Sequence, residues 1–242
     1  MMAWIFPAER PRRATALLVP PWLTGGVSLV RGWLRLVARG DRDVWLVIPP
    51  HHLERAAPGR RSGEDFISLD LARMRATFEQ LVLEIRTLAA LAARRGPVEL
   101  VGLSLGALAS AMAACASTDV ARAVLVAPPA DLAAVIGETP IGRRYRSVAE
   151  RAGVPLPPNE ELRGPLAAFD PSRLPRPTAP VLLGVGRNDA IALPAAALAL
   201  ARAWGADARV YPRGHLTLLF ACSALRRDVA RFLEGSGTGP RG

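Results

Sequence analysis

The stretch VELVGLSLGALASAMAAC, Val98 to Cys115, sets one serine between two glycines: Gly102, Leu103, Ser104, Leu105, Gly106. A serine hydroxyl is a weak nucleophile. It attacks a carbonyl only when a base takes its proton, a third group orients that base, and N–H donors meet the developing oxyanion. One histidine follows Ser104 in the chain, His215, in YPRGHLTLLF. Asp189, in VLLGVGRNDAIALP, is the candidate acid, and Asp131, after the preceding apolar run, is the alternative. Each of Ser104, Asp189 and His215 follows a short apolar, β-rich run. Five residues alone do not separate an activated serine from an ordinary strand, turn and helix, so the elements around them must decide.

Those elements alternate. Short apolar runs at 15–20, 43–49, 98–103, 121–128, 179–186 and 206–212 read as six strands. Helical patterns at 28–40, 70–95, 105–116, 194–204 and 217–234 separate or follow them. Asp70 stands in capping position for the long helix, and Gly96-Pro97 stops it. Strands that are apolar throughout, each followed by a helix, predict a parallel sheet covered on both faces. In such a sheet the functional loops lie at the carboxyl ends of the strands, where Ser104, Asp189 and His215 all fall. About fifty residues, 129–178, break the rhythm. They are rich in Pro, Arg and Glu, with one helical patch near 141–151, and a connection of that length predicts a lid-like excursion.

The order Ser, Asp, His on strand-end loops, with Gly-x-Ser-x-Gly between a strand and a helix, resembles the α/β-hydrolase family. The resemblance runs from about Thr15 to the last helix. A Rossmann-like domain with an incidental serine is the alternative. The resemblance implies an α/β fold with a mostly parallel sheet between helices, here one domain over 1–235 with the insertion at about 129–178; the tail 236–242, with nothing to bury, is expected to be disordered. It implies Ser104 as nucleophile, His215 as base and Asp189 as its partner, and ester hydrolysis without a cofactor. The oxyanion donors are expected from the N–H of Leu105 and from the loop VPPWLTGG. Pro20 and Pro21 have no N–H, which leaves Trp22 or Leu23. The His-Gly-Gly-Gly form of that loop is absent.

A second polar loop, IPPHHLERAAPGRRSGEDFISLD, follows the next strand. Pro50, His52, Arg55, Pro58, Arg60, Ser62, Gly63 and Glu64 resemble the P-x-H-x-x-R … P-x-G-x-x-S-G-E pattern of abhydrolase-domain-containing proteins. His51, His52 and Arg55 are expected to contact substrate, against the plainer reading of a solvated surface loop.

The chain has 242 residues and a formal charge of +10, and every basic residue is arginine. The arginines are scattered along the chain, which argues against nucleic-acid binding while leaving a field that attracts anions. Cys115 and Cys222 lie in apolar surroundings with no metal-binding spacing, and the three histidines make no metal site. The apolar part of MMAWIFPAERPRR is too short for a signal segment, and no run approaches the ~20 apolar residues of a spanning helix. The expectation is a cytoplasmic protein, with 4–6 as an edge strand, a packed arm or, with Arg10, Arg12 and Arg13, a weak membrane-surface contact. The expected substrate is a small-molecule or lipid-like acyl ester. Leu156, Leu162 and Leu166, beside Arg143, Arg144 and Arg146, suggest a lipophilic or anionic one. An amidase or peptidase with the same three residues, and a non-catalytic binding protein on the same fold, are the alternatives. Oligomeric state is not legible.

Overall fold

The computed structural model describes residues 1–9, 13–154 and 156–235. Arg10, Arg12 and the tail 236–242 lie outside them. Among the described residues seven strands form one sheet: β1 (Ala3–Phe6), β2 (Ala14–Val19), β3 (Arg42–Val47), β4 (Val98–Leu103), β5 (Val120–Val126), β6 (Val181–Gly186) and β7 (Asp207–Tyr211). Their spatial order is β1-β3-β2-β4-β5-β6-β7. The six expected strands are parallel, and β1 adds an antiparallel edge, Ala3 opposite Val47 and Phe6 opposite Val44. The segment 4–6 is therefore an edge strand.

Helices α1 (Val27–Val37), α2 (Leu71–Ala93), α3 (Leu105–Cys115), α7 (Pro194–Trp204), α8 (His215–Ala221) and α9 (Ser223–Glu234) cover the sheet. Burial on both faces is why the strands are continuously apolar. Leu17 and Val19 of β2 point to the layer that holds α2, α3 and α7, while Ala16 and Leu18 point to α1, α8 and α9. Asp70 caps α2 as expected, accepting from the N–H groups of Ala72 and Arg73 at 2.9 and 3.1 Å.

Three expectations change. Helix α1 starts one residue earlier, at Val27, with Gly26 and not Ser28 at its start. The expected final helix is two helices. Cys222 is extended (φ −99°, ψ 94°), and the turn there lets Leu225, Val229 and Phe232 of α9 pack in the sheet's core. Between β5 and β6 there are three helices: α4 (Leu132–Glu138), α5 (Pro140–Arg151) and α6 (Asn159–Leu166). Only α5 was visible in sequence. The other two, of 7 and 8 residues, are about two turns long, and α6 contains Pro165, so neither has a legible period. Buried Thr139 joins the first pair: its hydroxyl accepts from Gly142 N–H at 3.1 Å and donates to the Val135 carbonyl at 2.6 Å.

No helix among the described residues is long and apolar enough to cross a membrane.

Candidate active site

Ser104 is the single residue between β4 and α3, with φ 52° and ψ −116°. A residue with a Cβ adopts such a backbone only where its surroundings impose it, at a cost of about 1–3 kcal/mol. Two constraints do so here. The Ser104 N–H donates to the Val126 carbonyl of β5 at 2.8 Å. The flanking glycines let α3 come down on the strand ends: a Cβ on Gly102 would lie 2.5 Å from the Gly106 carbonyl oxygen, and one on Gly106 would lie 2.5 Å from that of Pro20. The serine is thereby pushed out at the carboxyl edge of the sheet.

His215 opens α8, and its Nε2 stands 2.9 Å from Ser104 Oγ. Its Nδ1 stands 2.8 Å from Asp189 Oδ2. Asp189 sits on the turn after β6. Its other oxygen accepts from the N–H groups of Ile191 and Ala192, both at 2.9 Å. With three donors, the buried carboxylate has one orientation. Facing an acceptor on one side, the imidazole carries its proton on Nδ1, which leaves Nε2 to accept the serine proton. Asp131 is occupied elsewhere. It caps α4 through Ala134 N–H at 2.9 Å and pairs with Arg163 at 3.2 Å.

An apolar cavity of about 330 Å³ opens beside Ser104. Trp22, Phe66, Ile67, Leu69, Met74, Phe78, Leu105, Phe169 and Ile191 line one part of it, and Leu132, Val135, Ile136, Ile141, Arg144, Tyr145 and Val148 of α4 and α5 line the rest. Phe78 meets Phe169 edge to face, ring centres 5.0 Å apart. Sequence reading missed these aromatic and aliphatic walls. Met74 and Phe78 share a face of α2 at i, i+4, a spacing that equally marks a core helix.

The chain carries the mark of a known family. A family model described as serine hydrolase matches residues 72–219, more than half of the sequence and a span that includes Ser104, Asp189 and His215. The chain belongs to the serine hydrolase family. No curated protein matches this serine hydrolase. Solved structures share its α/β-hydrolase fold. An esterase of Pyrococcus furiosus superposes with a TM-score of 0.64 at 14% identity, over 93% of this chain and 83% of its own. Acetyl xylan esterase 1 of Thermoanaerobacterium sp. superposes with a TM-score of 0.70 at 16% identity, over 98% and 79%. An acylaminoacyl peptidase of Pyrococcus horikoshii does so at 0.69 and 14%, over 99% of this chain and 40% of its own.

Leu105 is the first residue of α3, where backbone N–H groups have no partner within the helix. It and Trp22 both line the cavity of this serine hydrolase beside Ser104. Leu23 follows with φ 60°. The loop that carries Trp22 and Leu23 is tied from outside: the Trp22 indole N–H donates to the Gly63 carbonyl at 2.7 Å, and the Ser62 hydroxyl donates to the Thr24 carbonyl at 2.5 Å.

His51, His52 and Arg55, expected as substrate contacts, do not line this cavity. Arg55 grips Glu84 of α2 with two bonds, at 2.5 and 2.8 Å, and the Ile48 carbonyl at 2.8 Å. Burial pushes the Glu84 carboxyl upward, but the bonds from Arg55 and Gln80 outweigh it and hold the group below its ordinary value. His52 is buried edge-on against Phe66, with Nδ1 2.9 Å from the Pro50 carbonyl. Loss of solvent is the main cause that lowers its pKa. The His51 carbonyl accepts from Gly63 N–H at 2.6 Å. The polar loop is a scaffold: it locks Ser62 and Gly63, and they lock the loop of Trp22.

The leucines expected to form a lipophilic surface in the segment 129–178 are placed otherwise. Leu162 and Leu166 are buried in the main core, Leu156 packs against it, and none of the three lines the cavity. Both cysteines are free; Cys222 is buried, and burial pushes the Cys115 thiol up to about 12, away from the reactive thiolate form. Among the described residues no group of three or more His, Cys, Asp or Glu side chains is placed to hold a metal ion.

Proposed function

We propose that this serine hydrolase cleaves carboxylic esters with short to medium apolar acyl chains through an acyl-enzyme on Ser104. The observation that carries the reading is the unbroken relay of Ser104 Oγ, His215 and Asp189, at 2.9 and 2.8 Å, at an apolar cavity. Ser104 Oγ attacks the ester carbonyl while its proton passes to His215 Nε2. Asp189 holds the imidazole in its working tautomer and stabilises the imidazolium that forms. The N–H of Leu105 and that of Trp22 or Leu23 meet the oxyanion. The tetrahedral intermediate expels the alcohol, which takes the proton from His215. Water, deprotonated in turn by His215, attacks the acyl-enzyme and releases the acid. The segment 129–178 acts as the lid, since α4 and α5 roof the cavity. A volume of about 330 Å³ stands at the small end of ligand pockets, and this supports short to medium chains over long lipid chains.

The test is a fluorophosphonate probe mapped by mass spectrometry, followed by a chain-length series of esters. Wild-type protein is expected to carry the adduct on Ser104, and Ser104→Ala to lose both adduct and turnover while its melting curve stays cooperative. Asp189→Asn offers the imidazole the wrong tautomer, and kcat is expected to fall about 10⁴-fold. Wild-type rates in Ser104→Ala would overturn the mechanism. Amides cleaved as fast as esters would move the substrate class to amidase. A folded wild type without any adduct would favour a binding protein.

A further inference from the structure

The cavity-facing stripe of α5 is Ile141, Arg144, Tyr145 and Val148, spaced i, i+3, i+4, i+7. Three of these positions follow the apolar rule for a stripe that faces a greasy cavity. Arg144 breaks it. It is the single charged side chain lining the cavity among the described residues, and no acidic residue lines it. Tyr145 is already committed, its hydroxyl donating to the Ser68 carbonyl at 2.5 Å.

The arginines around it are occupied. Arg143 donates to the Glu138 carbonyl, Arg146 to the Pro157 carbonyl, Arg151 to Ser147, and Arg163 and Arg173 pair with Asp131 and Asp170. Arg144 has no hydrogen-bond or ion-pair partner among the described residues, and its side chain is exposed at the rim. A guanidinium presents a planar fork that matches the oxygens of a carboxylate or phosphate.

We propose that Arg144 forms an anion subsite, and that the preferred substrate is an ester whose alcohol part carries a carboxylate or phosphate. The inference rests on Ser104 being the esterase nucleophile. The apolar walls take the acyl chain. They offer no other charge, so the anion stays at the exposed guanidinium and, with the acyl chain against the apolar walls, belongs to the alcohol part. Arg144 binds and orients the substrate and takes no part in proton transfer.

The experiment compares three hexanoyl esters: of glycerol, of glycerate and of glycerol 3-phosphate. The variants are Arg144→Ala, Arg144→Lys, Arg144→Glu and Arg143→Ala. A charged hydrogen bond at a half-solvated rim predicts a five- to tenfold preference, roughly, for an anionic ester in kcat/KM, expressed mainly in KM. The glycerate and phosphate arms tell which anion it is. Arg144→Ala is expected to bring the anionic-to-neutral ratio to about one, Arg144→Glu to invert it, and Arg144→Lys to keep part of it. Arg143→Ala should keep the wild-type ratio. A ratio that survives Arg144→Ala overturns the subsite, and an equal loss in Arg143→Ala assigns the preference to the general field of a chain of charge +10. Probe labelling separates the two levels. Ser104 labelled with no anionic preference sinks the subsite alone, whereas no label sinks the esterase reading and the subsite with it.

Discussion

His52 shows how a residue with a chemical reputation becomes a structural part. Its ring is enclosed between Phe66 and Gly63, where a Cβ would lie 2.5 Å from Nε2. Buried neutral, it binds a proton at lower pH than in the unfolded chain. The sign follows. As pH falls below the ordinary histidine value of 6.5, the unfolded chain takes up the proton first and stability declines, until the folded histidine titrates too. Urea unfolding at a series of pH values is expected to show that decline in wild type and a flatter profile in His52→Asn. Equal slopes would mean that His52 reaches solvent. At this same scale the sequence separated roles by chain order alone. Ser104, Asp189 and His215 were brought together because each follows an apolar run, whereas His52 and Arg55 follow one too and do not line the cavity. Residue type and strand-end position do not say which way a side chain points.

The element that matters most is the junction of β4 and α3. A Cβ at Gly106 would strike backbone carbonyls, and backbone cannot swing aside as a side chain does. Gly106→Ala is therefore expected to lose about 1–3 kcal/mol of stability, the range for overpacking. It should also slow probe labelling of Ser104, since the struck carbonyls lead into the loop of Trp22. Chemical denaturation and labelling rates check the two effects, and an unchanged labelling rate would uncouple the loop from the helix. Glycine spacing made this junction readable. The segment 129–178 was not readable in the same way. Helix α5 shows a strong amphipathic pattern, but α4 and α6 are too short, and Thr139 joins α4 to α5 by bonds that no periodicity announces.

Across the whole molecule, one buried ion pair gathers distant parts of the chain. Arg42 of β3 and Glu99 of β4 stand on either side of β2, with Nε 2.5 Å from Oε2, and are 2% and 3% exposed. Arg42 also donates to the Leu233 carbonyl near the end of α9 at 2.7 Å. Glu99→Gln leaves a buried guanidinium without its counter-charge, and the expected loss is about 3–5 kcal/mol. Replacing both, as Arg42→Met with Glu99→Leu, should restore most of it, because apolar pairs of similar volume fill such sites well. Denaturation midpoints of the single and double variants check this. A mild single variant would mean that water reaches the pair.

The sequence by itself determined the parallel sheet, the six strands that build it, and the placing of Ser104, Asp189 and His215 after strand ends. These are local facts: apolar runs set strands, and glycines and caps set where the runs stop. Tertiary structure alone decided that Asp189 and not Asp131 faces His215, that the polar loop of His52 and Arg55 ties down the loop of Trp22, and that Arg144, without a partner among the described residues, lines an apolar cavity. Those outcomes depend on which side chains meet across 26 to 41 residues of chain, and no local pattern encodes a meeting at that distance.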